Sequence, residues 1–96
     1  MRFRRILAEK RQSNEAAEIL AKVLASAANV RYGDLQRLVE AFGFELLRVS
    51  GGHHIYGRAG LVEQVDLQDV GGKAKPYQIR QFLKLVERYN LQIKDD

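Results

Sequence analysis

Phe44-Glu45-Leu46-Leu47-Arg48-Val49-Ser50-Gly51-Gly52-His53-His54-Ile55-Tyr56-Gly57-Arg58-Ala59-Gly60-Leu61-Val62-Glu63-Gln64-Val65-Asp66-Leu67 is the stretch that decides the fold. It divides into three short segments, 44–49, 53–56 and 61–67, each with the β-branched or aromatic residues that suit a pleated, half-buried surface. Gly51-Gly52 separates the first two and Gly57-Arg58-Ala59-Gly60 the last two, and glycine clusters of this kind mark turns. Segments so short, joined by connections so brief, predict an antiparallel meander.

Upstream of the meander, Leu35, Leu38, Val39 and Phe42 recur at helical spacing, and Gly43 follows where a helix end takes a left-handed residue. Farther back, residues 5–28 hold neither Gly nor Pro. There Ala16, Ile19, Leu20, Val23, Leu24 and Ala27 repeat every three or four residues and predict an amphipathic helix. Its stripe is narrow and Ala-rich, fit to pack on a single neighbour, either its own domain or a second copy of the chain. Downstream, Gly71-Gly72 opens a loop, and Pro76 suits the first position of a helix, where a missing N–H costs nothing. Ile79, Phe82, Leu83 and Val86 form that helix's apolar stripe, Asn90 ends it, and residues 94–96 are expected to fray. The predicted order is an additional N-terminal helix, then α-β-β-β-α. This is an α+β two-layer sandwich with both helices on one sheet face and the other face open to a ligand.

Ninety-six residues, 46 % of them apolar, suffice for one core but not two. The absence of cysteine removes disulfides, thiolate nucleophiles and Cys-based metal sites, and fits a reducing, cytoplasmic setting. No apolar run approaches the ~20 residues that cross a bilayer, and the basic opening Met-Arg-Phe-Arg-Arg leads into no apolar signal core. The net charge of +4 is unevenly spread: residues 71–94 hold Lys73, Lys75, Arg80, Lys84, Arg88 and Lys94 against Glu87 alone. That segment can grip a polyanion, although a solvated helix face has the same composition.

The two histidines, His53 and His54, are adjacent and follow the glycine pair at a strand entrance. Imidazole exchanges protons near neutral pH. Cleavage of RNA without a metal requires a base to take the proton of a 2′-hydroxyl while donors hold the phosphate, and one positioned base supplies roughly 10²–10⁴-fold. Gly51-Gly52 lets a backbone or phosphate approach closely, or is simply a flexible turn. Neighbours on a strand face opposite ways. His53 shares parity with Ile55, expected in the core, and His54 shares it with Tyr56 and Arg58, expected on the open face, so parity favours His54. His53, however, is the first strand residue, where a side chain sits at the rim. A structural role, a rim hydrogen bond for His53 or a surface pair for His54, stands beside the catalytic one. A metal site is not expected, because adjacent strand histidines cannot share one ion and no His-x₃-His spacing occurs.

Gly71-Gly72-Lys73-Ala74-Lys75-Pro76 reads as a basic loop feeding a helix N-terminus, where free N–H groups and two lysines suit phosphate. Arg80, Lys84 and Arg88 continue at four-residue spacing along one helix face. Such a grip is blind to sequence and weakened by salt. Tyr77 and Tyr89 are expected to pack between helix and sheet, with stacking on bases as the alternative.

These residues together carry a resemblance. Arg31-Tyr32-Gly33-Asp34-Leu35 through Phe42-Gly43-Phe44-Glu45-Leu46, then Gly51-Gly52-His53-His54-Ile55-Tyr56, then Lys73-Ala74-Lys75-Pro76 and the helix to Leu91, resemble the HicA (YcfA-like) toxins of type II toxin-antitoxin systems. The resemblance spans roughly residues 30–93 and divides the chain into an N-terminal helical extension, 1–29, and a HicA-like domain, 30–96. It implies a fold similar to the double-stranded-RNA-binding domain, mRNA cleavage without a cofactor, and neutralisation by a HicB-like antitoxin. It implies His53 as the catalytic residue, with His54 secondary, and Gly51, Gly52, Lys73, Lys75, Arg80 and Lys84 as RNA-binding groups. Gly52 stands at the family's usual serine position, and Val65-Asp66-Leu67-Gln68 lacks the common proline–histidine ending of the third strand. The alternatives are a non-catalytic RNA-binding module and a protein-interaction subunit, the latter including a homodimer through the N-terminal helix.

Overall fold

A computed structural model describes residues 14–94. The elements are α1 (Asn14–Ala25), α2 (Tyr32–Ala41), β1 (Glu45–Ser50), β2 (His53–Gly57), β3 (Val65–Val70), β4 (Lys73–Ala74) and α3 (Pro76–Arg88). The expected helix before residue 14, and residues 95 and 96, lie outside the described residues.

Turn chemistry sets the connections. Gly51 and Gly52 have φ of +56° and +86°, and Gly71 and Gly72 have +60° and +84°. Two successive left-handed residues make the turn whose twist matches flanking strands, so one pair closes the β1–β2 hairpin at Ser50 and His53, the other the β3–β4 hairpin at Val70 and Lys73. Gly43, with φ +91°, ends α2: its N–H donates to Glu40 O at 2.9 Å and the Phe44 N–H to Val39 O at 3.3 Å. This double cap swings Phe44 back into the core, where it is 2 % exposed. Asn90, φ +54°, repeats the device after α3, with the Leu91 N–H on Val86 O at 2.9 Å and Leu91 buried.

The sheet is antiparallel in the order β1-β2-β3-β4. Tyr56, Val65 and Leu67 line its covered face, packed under Leu35, Leu38, Val39 and Phe42 of the α2 segment and Ile79, Phe82 and Val86 of α3, all buried. Phe82 meets Phe42 and Phe44 edge-on at ring-centroid distances of 5.6 and 5.7 Å, the preferred aromatic arrangement. Ala16, Ile19, Leu20 and Val23 of α1 join the same cluster against α2, so the N-terminal stripe docks on its own domain.

The structure corrects four boundaries. α1 ends at Ala25 rather than at residue 28, because Ser26 Oγ accepts the Ala28 N–H at 3.1 Å and Asn29 turns at φ +58°; Leu24 is left exposed. The third strand starts at Val65, not Leu61: the Leu61 N–H closes a turn on Arg58 O at 3.0 Å, and Val62 is 96 % exposed. Lys73 and Ala74 form a strand instead of a loop, held by β3 on one side and by the Ala74 N–H on Val30 O at 2.8 Å on the other. Lys94 does not fray, since its N–H donates to Ala41 O at 2.7 Å beside buried Ile93.

Candidate functional site

The strand register decides which histidine faces which way. Tyr56 pairs with Val65 and His54 with Leu67, while Ile55 pairs with Asp66 and His53 with Gln68. Val65 and Leu67 are buried, so His54 and Tyr56 face the helices and His53 and Ile55 the open face. Sequence parity alone expects Ile55 inside and Tyr56 outside; both are reversed, and with them the preference for His54. Tyr56 is fully buried on the helix-covered face, opposite buried Val65.

His54 packs its ring 5.2 Å from that of Tyr32 at 47°. Its Nδ1 is buried without a hydrogen-bond partner, and the side chains of Tyr32 and Tyr56 are buried close by. Burial raises the pKa of both phenols above the ordinary tyrosine value, which keeps them neutral. The surroundings of His54 are those of a packing residue.

His53 is placed differently, in a directed chain of hydrogen bonds. The chain starts from the Gln68 backbone N–H, which donates to Gln78 Oε1 at 2.9 Å and so leaves Gln78 Nε2 as the other end of that amide. Gln78 Nε2 donates to Gln68 Oε1 at 3.1 Å, which in turn fixes Gln68 Nε2 as the group 3.3 Å from His53 Nε2. An amide N–H₂ can only donate, so His53 Nε2 accepts and its proton resides on Nδ1. Nδ1–H then donates to the Asp66 carboxylate at 2.9 and 3.0 Å. A backbone N–H, through two glutamines, thus selects the tautomer whose lone pair is on Nε2. Gln78 is 3 % exposed and hydrogen-bonded through both ends of its amide; the His53 and Asp66 side chains are 44 % and 48 % exposed, within reach of a ligand on the open face.

Beside this chain, between β3 and α3, runs a groove of about 250 Å³. Val65 and Asp66 of β3 line it on one side, and Gln78, Phe82, Lys84 and Arg88 of α3 on the other. Arg88 is engaged with Glu63 at 2.6 Å, and Glu63 also accepts a short hydrogen bond from the Tyr89 hydroxyl, which raises the Tyr89 pKa.

The remaining expected site residues divide. Lys84 borders the groove, and Arg80 is exposed one turn earlier on α3. Lys73 is exposed in β4 and paired across to Arg31, away from the groove. Lys75 precedes α3 without capping it through its side chain, and its Nζ lies 5.8 Å from the centre of the Tyr77 ring. The left-handed backbone of Gly51 and Gly52 accounts for both glycines as hairpin residues, although space around each is open. Tyr77 and Tyr89 are 47 % and 43 % exposed, which corrects the expectation that they pack between helix and sheet.

Asp66, Gln68 and Gln78 do not emerge as site residues from the sequence. Asp66 and Gln68 alternate with buried Val65 and Leu67, a visible pattern, but their meeting with His53 depends on register. Gln78 offered the clearer signal: a lone amide one turn before Phe82, on the buried side of an otherwise apolar stripe. Among the described residues, no group of three or more His, Asp or Glu side chains comes together as a metal site. Comparison with protein-family models, with curated proteins and with solved structures finds no match to this chain.

Proposed function

We propose that this protein is an endoribonuclease of the HicA toxin type, with His53 as general base and Asp66 as the group that orients it. The observation that carries this reading is the chain Gln78–Gln68–His53–Asp66, which leaves the Nε2 lone pair on the open sheet face. Gln68 Nε2 stands where a substrate hydroxyl would donate, and its 3.3 Å contact is long enough to be exchanged for a better one. In the reaction, His53 Nε2 takes the proton of a ribose 2′-hydroxyl. The 2′-oxygen bonds to the adjacent phosphorus, the bond to the 5′-oxygen breaks, and that oxygen takes a proton from water. The products are a 2′,3′-cyclic phosphate and a 5′-hydroxyl. Asp66 stabilises the imidazolium formed on the way.

The element order α2-β1-β2-β3-α3 with both helices against one sheet face supports a double-stranded-RNA-binding-domain-like arrangement, β4 and α1 being additions to it. Lys84 and Arg80 serve as phosphate-holding cations, with Lys73 and Lys75 farther along the same ligand. A HicB-like antitoxin and a cytoplasmic setting belong to this reading; among the described residues, no helix is long and apolar enough to cross a membrane. The second reading, an RNA-binding module that does not cut, draws on the same Gln68 contact, which occupies Nε2.

The test uses a single-stranded RNA and the same RNA with one 2′-deoxyribose at the mapped cut. Cleavage of the first to a cyclic phosphate in the presence of chelator, and none at the deoxy position of the second, is the expected result. Binding of both with cleavage of neither replaces the nuclease with the binding module.

A further inference from the structure

β1 is six residues long and every one of them is exposed, with Leu46, Leu47 and Val49 at 46, 51 and 56 %. It is the outer strand of the sheet. Leu46 pairs with Tyr56 and Val49 with His54, so both point to the helix-covered face, yet α2 and α3 leave them uncovered. An apolar edge of this length is a template for another strand.

The direction of its free backbone groups follows from the ladder. The Gln68 N–H turns away from β2 toward Gln78, so by antiparallel alternation Leu67 faces β2, His54 faces β3, and His53 and Ile55 face β1. In β1, Ser50 and Arg48 answer His53 and Ile55, and Leu46 and Val49 send their N–H and C=O groups outward to the free edge.

We infer that β1 pairs antiparallel with β1 of a second copy of this chain, about a two-fold axis perpendicular to the sheet. One register meets every constraint: Leu46 opposite Val49 of the second copy, Leu47 opposite its Arg48, and Glu45 opposite its Ser50. Leu46 and Val49 are the residues with outward backbone groups, and in this register they exchange hydrogen bonds. Glu45, Arg48 and Ser50 pair with Gly57, Ile55 and His53 of the open face, and Leu47 lies over Gly57, where a methyl would come 2.7 Å from its Cδ1. Each residue therefore meets one of its own face. The β-bulge between Leu46 and Arg48 falls on the axis, so the extra residue of one strand answers that of the other. A shift by one residue would set Leu46 and Val49 against residues of the opposite face.

The register also explains why the occupant is a second copy. On the helix side, two Leu46 and two Val49 side chains cover one another. On the open face, Glu45 and Arg48 of the second copy become diagonal neighbours of opposite charge, twice over. The combined sheet is continuous and carries both His53–Asp66 pairs on one face.

The test is sedimentation equilibrium of the full chain from micromolar to millimolar concentration, with amide exchange on the same samples. The expected mass at high concentration is twice 11.0 kDa, with the Leu46 and Val49 amides protected only there. Leu46→Lys with Val49→Lys is expected to abolish association with the circular dichroism unchanged. Glu45→Arg should raise the dissociation constant roughly two- to thirtyfold, as two attractive diagonals become repulsive, and adding Arg48→Glu should restore it. A monomer at every concentration overturns the proposal, as does a dimer that survives the lysine pair.

Discussion

His53 and His54 are the same side chain one position apart, and their neighbours make them different groups. His53 has a carboxylate on one nitrogen and an exchangeable amide on the other; His54 has a tyrosine ring and an unpaired buried nitrogen. Removing the imidazole at His53→Ala is expected to lower the cleavage rate by about 10²–10⁴-fold without loss of RNA affinity. Asp66→Asn loses a charge-assisted hydrogen bond in a half-exposed site and should cost about tenfold in rate, read in single-turnover assays. His54→Leu removes a buried polar atom that bonds to nothing. Denaturant titration should find stability unchanged or raised by up to ~1 kcal/mol, with cleavage intact. At this scale the sequence was legible in part: the glycine–histidine turn drew attention to both histidines, but parity misassigned them. Ile55 and Tyr56 are each plausible inside, and only the pairing of Tyr56 with Val65 decides between them.

At the scale of elements, glycines and asparagines were more informative than the apolar pattern. Gly43, Asn90 and the pair Gly51-Gly52 all adopt the left-handed backbone that their positions imply, and each ends or joins an element. The cost of losing one is conformational rather than steric. Gly52→Ala should destabilise by about 1–2 kcal/mol although no atom lies within 4 Å of the added methyl. Gly33→Ala, in the first turn of α2 and equally unhindered, should be neutral or stabilising by up to ~1 kcal/mol; thermal unfolding of the pair separates the two effects. What the sequence concealed was β4 and the true start of β3. A two-residue strand has no periodicity to read, and Lys73-Ala74 is held on one side by its own hairpin partner in β3 and on the other by Val30, which lies far away in the chain. The apolar residues Leu61 and Val62 imitate strand composition but serve a turn and solvent.

For the whole molecule, one core unites all three described helices with one sheet face, and the His53–Asp66 pair stands on the other. Its centre is Phe82 between Phe42 and Phe44, and Phe82→Ala should cost about 3–5 kcal/mol in denaturant-induced unfolding. The basic segment that looked like one stripe in the sequence is divided in three dimensions: Lys84 flanks the groove, Arg88 is committed to Glu63, and Lys73 lies in β4. Lys84→Ala should therefore weaken RNA binding and flatten the log–log salt dependence by about one unit, whereas Arg88→Ala should have the smaller effect on that slope. The measurement that bears most directly on the central claim is a parallel single-turnover cleavage assay of wild type, His53→Ala and His54→Ala on one RNA, with folding and RNA affinity checked for each. Cleavage lost in His53→Ala and kept in His54→Ala is the expected result; equal cleavage by wild type and His53→Ala would contradict it.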